Sequence, residues 1–71
     1  MKRFGEKLRF LRKRDRISLR KLASMLGHSS HSLVTYIEKG EKNPSLELAF
    51  NISRIFGVTL DSLVDDNVEI E

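Results

Sequence analysis

The 71-residue chain has no cysteine, a single proline and four glycines. Without cysteine, neither a disulfide framework nor a thiolate zinc site can hold a small fold together. Long apolar runs are missing too. The longest is three residues, Leu48 to Phe50, against roughly 20 for a membrane-spanning helix and roughly 7–15 for a signal-peptide core. The expectation is a soluble cytoplasmic protein with no membrane association. A chain this short forms one small domain that buries about 60% of its unfolded surface, around a core supplying roughly 3–5 kcal/mol.

Acids are scarce at one end of the chain and bases are absent from the other. Met1 to Lys21 carries ten Lys/Arg against Glu6 and Asp15, a net +8. Leu22 to Gly57 is balanced, and Val58 to Glu71 holds five acids and no base, a net −5. The overall +3 and the pI of about 9.6 conceal this split. A basic segment on a small domain is the electrostatic footprint of a phosphate-backbone binder, and equally of a solvated helix face.

Hydrophobic spacing predicts helices throughout. Phe4, Leu8 and Leu11 share one stripe of a helix over about Lys2 to Arg14. Ser18 caps a second helix, about Leu19 to Leu26, which Gly27 closes. Ser30 is the cap candidate for a third, ending at Lys39 before Gly40. Asn43-Pro44 places a loop over Glu41 to Pro44, because the residue before proline is pushed out of the helical region. Ser45 caps a helix over Leu46 to Phe56, stopped by Gly57, and Thr59 caps a last one, about Leu60 to Asp65. No strand alternation is present. The expected fold is all-α, with five short helices, residues 1–65 forming the domain and 66–71 an acidic C-terminal tail.

The informative stretch is Ser18 to Gly40, in which two capped helices flank a glycine-containing turn. On a helical wheel Val34 and Ile37 point one way, while His31, Ser32, Thr35, Tyr36 and Lys39 fill an arc of about 140° on the other side. That outward set contains no acid. Short hydroxyl and imidazole groups suit the donors and acceptors of base edges in a major groove, where phosphate repels a carboxylate.

The ordered set Leu8-Arg9-Phe10-Leu11-Arg12, Ile17-Ser18, Leu22-Ala23, Leu26-Gly27, Ser32-Leu33-Val34-Thr35, Ile37-Glu38-Lys39-Gly40, Asn43-Pro44-Ser45 and Gly57-Val58-Thr59-Leu60 resembles the Cro/repressor helix-turn-helix family of phage and bacterial regulators, also called the XRE family. The resemblance spans roughly Phe4 to Val64 and implies a compact domain of the phage-repressor type. It also implies double-stranded DNA as partner, with helix 30–39 as recognition helix. Counting back from Glu38, the base contacts it implies are His31, Ser32, Thr35 and Tyr36. It further implies a structural salt bridge between Arg12 and Glu38. Many members carry Gln at the start of the motif's first helix, where it touches a phosphate. Leu19 stands there in this chain, leaving the role to backbone N–H groups or to Ser18 and Arg20.

Phosphate contacts are expected from Lys39, Lys42 and Asn43 after the recognition helix, from Ser30 at its start, and from Arg16, Ser18, Arg20 and Lys21 around the first helix of the motif. Of Lys2, Arg3 and the other first-helix bases, about half serve solubility. His28 and His31 have no Cys or carboxylate nearby in the turn, so no metal is expected. No phosphate-binding glycine loop or activated-nucleophile pattern points to an enzyme or a cofactor.

The helix over Leu46 to Phe56 is apolar around most of its circumference. Ala49, Ile52, Ser53 and Phe56 form its inward stripe. Leu48, Phe50 and Ile55, with Leu60, Leu63, Val64, Val68 and Ile70, form the candidate homodimer surface, with the acidic end remote from the basic helices. The function expected is a sequence-specific transcriptional regulator, a repressor binding a two-fold operator as a dimer in a bacterial or phage nucleoid. The alternatives are an antitoxin or restriction-modification controller, each adding a protein partner, and a protein-interaction module that kept the fold.

Overall fold

The computed structural model describes residues 1–70. Five helices follow one another: α1 (Phe4–Arg14), α2 (Leu19–Met25), α3 (Ser32–Glu38), α4 (Leu46–Phe56) and α5 (Leu60–Val64). No strand occurs among the described residues. Three helices open on the side-chain caps that their sequences supply. Ser18, Ser45 and Thr59 each accept a hydrogen bond from the N–H three residues on, satisfying a donor that the first turn would otherwise leave unpaired. Gly57 closes α4 in the left-handed region, at φ 67.

The third helix starts later than Ser30 predicts. Ser30 Oγ accepts from Ser32 N–H at 3.2 Å and lies 3.0 Å from Ser32 Oγ. That bond spans two residues and folds a serine turn ahead of the helix. His31 occupies the cap position without a side-chain cap bond, and the helix ends at Glu38, with Lys39 as its C-cap. The third helix is therefore 32–38, shorter than 30–39. Helix α1 begins at Phe4 rather than Lys2, α2 ends at Met25, and α5 ends at Val64.

One core joins all five helices. Phe4, Leu8 and Leu11 of α1 meet Leu22 and Ala23 of α2, Val34 and Ile37 of α3, Leu48, Ala49, Ile52 and Phe56 of α4, and Leu63 of α5. Helix α1 packs on α3 and α5, α2 on α3, and α4 on α5. Gly5 lets α1 and α3 approach closely, because a Cβ there would collide with the backbone at Ile37 and lie 2.8 Å from the Glu38 carbonyl oxygen.

The acidic end is not remote from the basic one. Asp66 accepts hydrogen bonds from the backbone N–H groups of Lys2 and Arg3, at 2.9 and 3.0 Å. Arg3 pairs with Glu69 and Glu6 and donates to the Asp66 carbonyl. Lys7 is 3% exposed and donates to the carbonyls of Ser62, Asp65 and Val68, each at 2.7 Å. A buried ammonium requires this kind of company. Burial also revises the apolar surface. Leu63 is fully enclosed in the core and Leu48 nearly so, so neither forms part of an outer face. Ile55, Leu60, Val64 and Ile70 lie partly covered against the core, whereas Phe50 and Val68 are exposed.

Candidate nucleic-acid interface

The packing of Val34 and Ile37 against α1 and α2 turns the opposite side of α3 to solvent. Ser32, Tyr36 and Lys39 are exposed there, and His31 and Thr35 half-buried. Thr35 Oγ1 donates to the His31 carbonyl at 3.1 Å and lies 3.4 Å from His31 Nδ1. With that proton given to the carbonyl, Thr35 Oγ1 accepts from Nδ1–H when the imidazole carries its proton there, which holds the ring along the helix and leaves the oxygen one further lone pair. The exposed side carries no carboxylate, since Glu38 turns inward.

Glu38 meets Arg12. Arg12 donates from Nε to Glu38 Oε2 at 2.7 Å and from its terminal nitrogen to Oε1 at 3.1 Å. Its other terminal nitrogen donates to the Ile17 carbonyl at 3.0 Å. The two side chains are only 13% and 8% exposed. This planar, two-bond pairing fixes the angle of α1 against α3 and ties both to the turn that leads into α2.

Around α3 stand side-chain cations with no acidic partner among the described residues. Arg16 sits in the α1–α2 turn, and Arg20 and Lys21 lie in the first turn of α2, all exposed. Ser18 Oγ is occupied as acceptor of the Lys21 N–H, which leaves its hydroxyl proton to donate. Beyond α3, Lys42 and Asn43 share a cleft of about 330 Å³ with Met1 and Lys2. On the other flank, Arg9 and Lys39 share a depression of about 260 Å³ with Thr35 and Leu19. Sequence periodicity leaves Lys2 and Arg9 among undifferentiated first-helix bases. The pointer to Arg9 is its position three residues before Arg12, on the edge of α1 that Glu38 turns toward α3.

Known proteins share both sequence and shape with this chain. A helix-turn-helix family model matches residues 8–63. An uncharacterized HTH-type transcriptional regulator of Methanocaldococcus jannaschii is 39% identical over 57 residues, covering 80% of this chain and 85% of that protein. A protein of Thermococcus kodakarensis, inferred to be an HTH-type transcriptional regulator, is 41% identical over 61 residues. That match covers 86% of this chain but only 19% of the longer relative. The crystal structure of apo-HppE superimposes with a TM-score of 0.76 at 27% identity, over 99% of this chain and 42% of that one. No helix among the described residues is long and apolar enough to cross a membrane. Five helices, a motif spanning α2 and α3, a family model over residues 8–63 and regulators matched over 80% and 86% of this chain lead to one assignment: the chain belongs to the helix-turn-helix family of transcriptional regulators, of the Cro/C1 (XRE) type.

Proposed function

We propose that this protein is a sequence-specific binder of double-stranded DNA, a repressor that docks α3 in the major groove and binds a two-fold operator as a dimer. The observation that carries the reading is the solvent side of α3, which presents hydroxyls, an imidazole and a phenol without any acid, between two groups of unpaired cations. His31, Ser32, Thr35 and Tyr36 meet base edges. Arg16, Ser18, Arg20 and Lys21 around the start of α2, Ser30 ahead of α3, and Lys39, Lys42 and Asn43 after it hold phosphates and set the register. Residues 1–65 form the DNA-binding unit. Residues 66–71 form its acidic tail, of which Glu71 lies outside the described residues.

Arg16 supports this placement. It adopts φ 57, a left-handed conformation that costs a non-glycine residue about 1–2 kcal/mol, and strained residues cluster where function needs them. The dimer contact draws on exposed Phe50 and Val68, with Ile55, Leu60, Val64 and Ile70 at its margins.

Selection from randomised duplex DNA at titrated salt, followed by sequencing, tests the proposal. The expected product is an inverted repeat with half-sites about one helical turn apart, and His31→Ala and Thr35→Ala change the preferred sequence. Unaltered preference in both variants would remove the base-contact assignment, and sedimentation as a monomer both at high concentration and on a single half-site would remove the dimer. Leu19, apolar at the first position of α2, favours a second reading as a protein-interaction module. Retention of no duplex even at low salt would select that reading.

A further inference from the structure

The depression between α1, the start of α2 and α3 has a floor, walls and a rim of different chemistry. Its deepest members are the Arg12 and Glu38 side chains, its half-buried members Leu19 and Thr35, and its exposed members Arg9 and Lys39. Both Glu38 oxygens are engaged by Arg12, so the only acid lining the depression among the described residues is already neutralised. Arg9 and Lys39 stand 30 positions apart in sequence, yet face the same small volume with no acidic partner among the described residues.

We infer that Arg9 and Lys39 together hold one phosphodiester of the DNA backbone, at the point where α2 opens with a side chain that has no donor. The inference rests on the DNA-binding reading above. Leu19 forms an apolar wall and donates nothing. A guanidinium fork on one rim and an ammonium on the other supply the bonds a phosphate accepts, the first directional and the second a point charge. The Thr35 hydroxyl proton is committed to the His31 carbonyl, so Thr35 contributes shape rather than a donor. Because α1 is locked to α3 through Arg12 and Glu38, a phosphate held by Arg9 fixes the tilt of the reading helix and not merely its affinity.

The test uses the duplex recovered by the selection, with each phosphate replaced in turn by an uncharged methylphosphonate. Binding is measured for the wild type, Arg9→Ala, Lys39→Ala, the double variant and Lys13→Ala, which removes the same charge from the same helix at an exposed position outside this depression. The wild type is expected to lose about tenfold in affinity at one methylphosphonate position, the scale of one charge-assisted hydrogen bond. The double variant should bind natural and substituted duplexes equally at that position. Its slope of log K against log salt should fall by about 0.9, the equivalent of one phosphate. Lys13→Ala should respond to every substitution as the wild type does. Arg9→Ala indistinguishable from Lys13→Ala, or a double variant still sensitive at every position, would overturn the shared-phosphate assignment while leaving DNA binding intact. A wild type that binds no duplex would overturn both.

Discussion

The α-carbon of Gly5 lies against the carbonyl oxygen of Ile37 so closely that no side chain fits between them. Helix α1 thereby touches the last turn of α3 with backbone on backbone. The obstacle is main-chain oxygen, which cannot swing aside. Gly5→Ala is expected to destabilise the fold by about 1–3 kcal/mol or more through overpacking. Gly40 has φ 76 and open space around its Cβ direction, so Gly40→Ala costs only the left-handed penalty of about 1–2 kcal/mol. Thermal unfolding should rank Gly5→Ala as the more damaging; a reversed order would mean that the helices separate easily.

Glu38→Ala leaves Arg12 charged, buried and half-satisfied. Breaking such a pair typically costs about 3–5 kcal/mol, enough to unfold much of a domain this small. Glu41 is exposed, and its side chain bonds nothing among the described residues, so Glu41→Ala should lie within about 0.5 kcal/mol of the wild type. Equal melting temperatures for the two variants would show that the bridge does not hold α1 to α3.

Lys7→Met keeps most of the aliphatic stem and removes the donor shared by Ser62, Asp65 and Val68. The expected loss is about 2 kcal/mol, the range for hydrogen bonds to a charged group. Amide exchange should accelerate first at Val68, whose N–H bonds the Asp65 carbonyl. Faster exchange confined to α2 and α3 would contradict this role.

Acid should loosen the same corner. Hydrogen bonds from Lys2 and Arg3 N–H groups hold the Asp66 carboxyl below its ordinary 3.8, and the Arg3 guanidinium holds Glu69 below its ordinary 4.5. A carboxyl whose folded value is depressed stabilises fully above its unfolded value and loses that contribution as pH falls through the folded one. Stability should therefore stay flat from neutrality to about pH 5 and decline below about pH 4. In urea titrations across this range, Asp66→Asn with Glu69→Gln should flatten the decline; an unchanged acid limb would place it elsewhere, Asp15 beside Arg14 being the next carboxyl held low.

Much of this architecture is legible in the chain because local chemistry decides it. Ser18, Ser45 and Thr59 mark helix starts whose bonds span three residues, and Phe4, Leu8 and Leu11 give α1 its buried stripe. The start of α3 misleads because Ser30 has the right side chain but spends it two residues ahead. Gly5, Lys7 and Arg3 are opaque for a different reason. Apart from Glu6 beside Arg3, their partners lie more than 30 positions away, so neither helical spacing nor charge count separates Lys7, which is buried, from Arg9, which is exposed. Leu63 reads as surface on a five-residue helix until α1 and α4 close over it.

Asp66 bonded to the backbone of residues 2 and 3 closes the segment from Lys2 to Asp66 into nearly a ring. Residues 2 and 66 are thus near enough for a short polar linker to join them directly without displacing α3, with the breakpoint moved to the exposed Ser29 turn or to Glu41–Asn43.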